Sequence, residues 1–159
     1  MPTFAFSRLL EGQPYEVAVE AVVCAAGKNY YSSKTKRTFL TRPLPPENLV
    51  VLSSEEQLVG WSRSKTAGVK MYKVKIKAEE ERAKDFVVED DNDGASELSF
   101  KIGFPLQEGV EYKINVYSVA TFQGLTAESE PCHAKAFLDY ENDEFYEEGR
   151  GKCVINLIR

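Results

Sequence analysis

The chain has 159 residues, 43% hydrophobic and 11% aromatic, with a formal charge of −5. That apolar content suits a packed core rather than a disordered segment, and a small negative charge argues against nucleic acid as a partner. No apolar run reaches the length of a membrane span, since the longest, near Val17 to Ala26, is interrupted by Glu20.

Met1 is followed by Pro2, Thr3 and Phe4 with no basic start or apolar leader, so no secretion signal is visible. Residues 1–42 offer three strand candidates, at 4–6, 15–23 and 32–38, with residues 24–31 as an ordinary loop. The stretch 9–22 (LLEGQPYEVAVEAV) returns as 106–119 (LQEGVEYKINVYSV), a period of 97. Leu9, Gly12, Tyr15, Val17, Val19 and Val22 fall on Leu106, Gly109, Tyr112, Ile114, Val116 and Val119. Each copy is thus a leucine, a glycine turn and a tyrosine followed by apolar alternation, and a period of this length is that of a small sandwich domain. The first copy is incomplete. Its 42 residues hold the end of such a unit and not its beginning.

Pro43-Leu44-Pro45-Pro46 marks the boundary, because proline cannot continue a central strand. Seven strands are expected beyond it, centred on Leu49, Leu58, Tyr72, Val87, Phe100, Ile114 and Ala134. The third has the clearest alternation, with Tyr72, Val74 and Ile76 on a buried face and Lys73, Lys75 and Lys77 on a wet one. Residues 79–94 carry eight acids and two bases around Phe86, Val87 and Val88, which reads as an edge strand between solvated turns. The last strand, 126–137, contains Pro131, a sign of an edge or bulge. Seven short strands and no helix predict an all-β fold, an immunoglobulin-like antiparallel sandwich over residues 43–138. Residues 139–159 begin acidic and aromatic, end basic and apolar, and read as a flexible linker.

Little here can perform catalysis. His133 is the single histidine and neighbours Cys132, but adjacent strand residues point to opposite faces. There is no Gly-rich phosphate loop and no serine elbow, so neither a catalytic residue nor a cofactor is assigned. Residues 89–94 (EDDNDG) resemble the start of a calcium loop, yet the twelfth position would be Phe100 where a bidentate glutamate is needed, so no metal site is assigned. Cys24, Cys132 and Cys153 are odd in number and far apart, give no disulfide framework, and read as buried or idle thiols. No Asn-x-Ser/Thr sequon occurs.

In order and spacing, Pro45-Pro46-Glu47-Asn48-Leu49, Leu58-Val59-Gly60-Trp61, Tyr72-Lys73-Val74 and Leu106-Gln107-Glu108-Gly109-Val110-Glu111-Tyr112 resemble the fibronectin type III domain. The resemblance covers 43 to about 138. It implies a core built on Trp61, Tyr72, Val74, Leu106, Tyr112, Ile114 and Val116, with the Tyr112 hydroxyl bonded to backbone near Leu106. Residues 1–42 resemble the last three strands of the same fold. Because the third and sixth strands neighbour each other in that fold, Lys113 would join Lys73, Lys75 and Lys77 in a basic stripe able to meet an acidic polysaccharide or an acidic protein surface. The loop at 121–126 exposes an apolar pair around a glycine, in a place where the family often contacts partners, but it lacks Arg-Gly-Asp. The Trp-Ser-x-Trp-Ser signature of cytokine receptors is absent near Glu128 to Cys132.

The function implied is a non-catalytic spacer and protein-binding module in the ectodomain of a receptor or matrix protein. Two alternatives stand beside it: a structural module of an intracellular filament-associated protein, and an ectodomain piece of a receptor tyrosine phosphatase whose enzyme domain lies elsewhere.

Overall fold

The computed structural model describes residues 3–53, 56–78, 81–91, 94–107, 109–139 and 144–146. In chain order the strands are β1 (Pro14–Val19), β2 (Val22–Ala25), β3 (Lys28–Tyr31), β4 (Thr35–Leu40), β5 (Glu47–Ser53), β6 (Leu58–Ser62), β7 (Met71–Ala78), β8 (Lys84–Glu89), β9 (Glu97–Lys101), β10 (Glu111–Phe122), β11 (Leu125–Glu128), β12 (Cys132–Asp139) and β13 (Glu144–Tyr146). Every pairing is antiparallel. The fold is therefore all-β, with sheets consistent with a sandwich.

Among the described residues two larger sheets run β5-β6-β9 and β13-β12-β10-β7-β8, with β11 also on β10, beside the two-stranded sheets β1-β4 and β2-β3. Alternation sets their inner faces. On β7, Tyr72, Val74 and Ile76 are buried, and on β10 Tyr112, Ile114 and Val116 are. They share one core cluster with Leu49, Val59 and Trp61 from the three-stranded sheet, and with Leu106. The Trp61 ring sits 5.7 Å from that of Tyr72.

Residues 9–40 form a hairpin that repeats residues 106–137 in three-dimensional detail. Tyr15 Oη accepts from the Leu10 N–H at 2.9 Å, and Tyr112 Oη accepts from the Gln107 N–H at 2.9 Å. Gly12 and Gly109, at φ +65° and +73°, make the left-handed turn before each tyrosine. β1 and β4 pair Val19 with Thr35, whereas β2 and β3 pair Val22 with Tyr31, a one-residue slip; β10 has the same slip between Val116↔Cys132 and Val119↔Glu128. A serine holds each slip. Ser32 donates its N–H to Ala21 O and accepts the Ala21 N–H on Oγ, both at 2.9 Å. Ser129 does the same to Ser118 at 3.0 and 2.9 Å. These are β-bulges with a side chain completing the ladder. Both hairpins close on a two-residue turn with φ positive at each position, Ala26-Gly27 and Gln123-Gly124, as tight hairpin turns require.

Several expectations are corrected. Residues 4–6 form no strand; Phe4 and Phe6 instead stack in a line of aromatic rings towards Phe39 and Tyr15. The loops expected at 24–31 and 121–126 are hairpin tips continuous with the strands, because X-Gly at their centres permits the tight turn. The last strand is split into β11 and β12 at the Ser129 bulge, as the first hairpin is split into β3 and β4 at Ser32, because the one-residue slip interrupts the ladder. Within the expected linker, Glu144–Tyr146 pairs with the free edge of β12; the rest of 140–159 lies outside the described residues. Cys132 is not an idle thiol: it is buried and disulfide-bonded. Cys24 is free and exposed, and Cys153 lies outside the described residues.

The two repeats meet at a close joint. Gly12 donates its N–H to Arg42 O, Pro43 is buried, and the Leu44 N–H donates to Thr66 Oγ1 at 2.8 Å. Arg42 pairs with Glu130. A Cβ on Gly12 would lie 2.5 Å from Thr66 Cγ2, while one on Gly109 would meet nothing within 4 Å. Both positions are left-handed, so Gly109→Ala should cost about 1–2 kcal/mol through backbone strain alone. Gly12→Ala should carry that strain and also push the repeats apart. Amide NMR shifts of Thr66 and Ala120 should move in Gly12→Ala and stay in place in Gly109→Ala. Unmoved shifts in both would mean that the joint is not packed.

Candidate binding face

The outer face of the β8-β7-β10-β12 sheet carries the lysines. The inward alternation of β7 turns Lys73, Lys75 and Lys77 outward, and that of β10 does the same for Lys113. Register then decides which of them meet. Lys77 lies opposite Lys113, and Lys113 opposite Lys135 on its other side, so three lysines form a row across three adjacent strands. The next row is Lys75, Asn115 and His133, and the one after it pairs Lys73 with Tyr117.

The charges are not equivalent. Lys73 Nζ donates to Glu128 Oε1 at 3.0 Å, and this hydrogen bond raises its pKa. The Tyr117 hydroxyl is also raised, chiefly by burial. Lys75 Nζ stands 5.8 Å from the Tyr117 ring centre, within cation–π range, and faces Asp85 across β8. Lys135 pairs with Glu111 at 3.2 Å. Lys77 and Lys113 form no ion pair among the described residues, although they face each other directly. Like charges opposed on neighbouring strands are destabilising, so an anion laid across this row would relieve a repulsion. The register thus gathers Lys77, Lys113 and Lys135 side by side on one outer face.

The sequence-derived stripe is thus rearranged. Lys75, Lys77 and Lys113 come together, Lys73 is engaged by Glu128, and Lys135 and His133 are additions that sequence reasoning missed. The signal was present: Cys132, Ala134 and Ala136 are buried while His133 is exposed, an alternation that the bulge at Ser129 obscured.

Other candidates are placed elsewhere. Cys132 and His133 point to opposite faces. Asp90, in the calcium-like stretch, is buried in a two-bond ion pair with Arg63, both contacts at 2.8 Å. Asn92 and Asp93 lie outside the described residues, and among the described residues no group of three His, Cys, Asp or Glu side chains is arranged for a metal. No helix among them is long and apolar enough to cross a membrane. The apolar pair at 121–126 is Phe122 opposite Leu125, beside the tip of the second hairpin.

No protein-family model matches this chain, and no curated protein does. Among solved structures, one titled "Myokine structure" is 18% identical, covering 57% of this chain and 94% of that one, with a TM-score of 0.39.

Proposed function

We propose that the chain is a non-catalytic spacer and protein-binding segment of a multidomain cell-surface receptor or adhesion protein, built from fibronectin type III repeats. The observation that carries this is the recurrence at a period of 97 of one complete hairpin device, with the same tyrosine corner, serine bulge and turn. Repetition of a folding device without a catalytic centre is the mark of an array, in which each unit sets distance and offers surface. The strand orders β5-β6-β9 and β8-β7-β10-β12, with Trp61 between them and Tyr112 closing the corner, support the family reading. An extracellular setting is supported by the disulfide at Cys132, because such bonds persist in oxidising compartments. That bond favours the ectodomain reading over the intracellular filament alternative.

Within this reading the outer lysine face takes an acidic polysaccharide. The whole chain is acidic, so retention on a sulfated column would have to come from a local face rather than net charge. The chain should be retained on immobilised heparin at low salt. Lys75/Lys77/Lys113→Gln should elute clearly earlier, whereas substitutions of Lys34 and Lys36 on the first hairpin should not. Equal elution of chain and triple variant would remove this face as the binding surface.

A further inference from the structure

We propose that the open edge of β8 is a docking site for an extended peptide of a partner protein, one that adds as a further strand and carries a basic residue at each end of a short apolar core. This names a partner chemistry for the protein-binding role and uses the edge of the sheet rather than its lysine face, so it does not rest on the polysaccharide reading. Among the described residues β8 pairs with β7 alone, from Ile76↔Lys84 to Met71↔Glu89. Its other side therefore presents backbone N–H and C=O groups along six residues, with no proline to block pairing. Such an edge is a template for one more strand.

Alternation fixes what that strand must look like. Phe86 and Val88 pack against the core and are only partly buried, so apolar residues set beside them extend the core. Asp85, Val87 and Glu89 lie on the outer face, opposite Lys75, Lys73 and Met71, and Val87 is 64% exposed. An added strand thus sets two residues inward and three outward, and its complement is base, apolar, apolar, apolar, base. The pattern reads the same in both directions, so either strand orientation asks for it. Charge is the second constraint. Residues 79–94 carry eight acids and two bases. Of the bases, Lys84 is turned onto the Phe104 ring, its Nζ 3.6 Å from the ring centre. Neither Asp85 nor Glu89 forms an ion pair among the described residues, and Glu89 has no base opposite it on β7. A second copy of this chain is a poor occupant. Pairing β8 with its own copy about Val87 opposes Asp85 to Glu89 twice, pairing about Phe86 lays Asp85 on Val87 twice, and both bring two acidic segments together. The acids therefore exclude like edges and select basic ones.

The probe is the blocked peptide acetyl-Lys-Val-Val-Val-Lys-amide, titrated into the isotope-labelled whole chain. Amide NMR shifts should move along β8. The peptide with glutamate at both ends should bind at least about tenfold more weakly, since two end contacts turn from attraction to repulsion. Asp85→Lys/Glu89→Lys should reverse that preference, and both sites are exposed, so the core is left intact. An added strand turns alternate backbone N–H groups towards its neighbour, so N-methylation of the odd or of the even peptide residues should abolish binding, and the other set should not. Absence of shifts on β8, equal binding of the two peptides, a preference unmoved by the charge reversal, or tolerance of both methylation sets would each overturn the proposal. Protection of β8 amides that rises with protein concentration in the absence of peptide would also overturn it, by showing a second copy on this edge. Equal heparin elution of the chain and its lysine variant would leave these outcomes untouched.

Discussion

Trp61→Ala should destabilise the second repeat by about 3–5 kcal/mol, the cost of a cavity at the centre of a two-layer core. The ring is 1% exposed, sits on Tyr72 and shares a cluster with residues from both sheets, so neither sheet can collapse into the vacancy without losing its register. Trp61→Phe should behave differently. Trp61 Nε1 is buried with no hydrogen-bond partner, and an unsatisfied buried donor costs about 1–3 kcal/mol. Phenylalanine gives up part of the apolar area but removes that orphan donor, so the two effects offset and the net change should stay within about 1 kcal/mol. Urea unfolding followed by far-ultraviolet circular dichroism measures both variants. Equal losses for alanine and phenylalanine would show that the indole N–H is satisfied in solution.

The strands of the second repeat were legible because alternation and a large aromatic core residue speak directly about burial. Tyr72, Val74 and Ile76 announce an inner face, and the three lysines between them announce an outer one. What was not legible depends on pairing between distant residues. Whether Lys113 meets Lys77, and whether Lys135 lies beyond it, is fixed by the register of β10 with β7 and β12, and no local pattern contains that register. The serine bulges were missed for a related reason. Ser32 and Ser129 look like ordinary polar residues until their hydroxyls are seen replacing a ladder acceptor for Ala21 and Ser118. The disulfide at Cys132 could not be read from the spacing of three distant cysteines. The segment before Leu9 reads as a strand because Phe4 and Phe6 have strand-like chemistry, but among the described residues no strand pairs with it; Phe4 packs on Phe6, and Phe6 on Phe39, which stacks on Tyr15.

Val116→Ala and Val19→Ala make the same chemical change at the same repeat position, and they should differ sharply. Val116 is fully buried, so truncation removes well-packed methyl groups and should cost about 2–3 kcal/mol in the main unfolding transition. Val19 has the same strand geometry, the same tyrosine corner four residues before it and the same bulge beyond, yet is mostly exposed. Its truncation should change stability by less than about 0.5 kcal/mol, as for other surface positions. Parallel denaturation curves of the two variants measure the difference. Local propensity and hydrogen bonding are held constant between the two sites, so the gap reports what the opposing sheet adds. Comparable losses at both positions would mean that the first hairpin already folds against a cover in solution. A gap of the expected size makes the sandwich, and not the hairpin, the unit that gives a buried valine its stabilising effect.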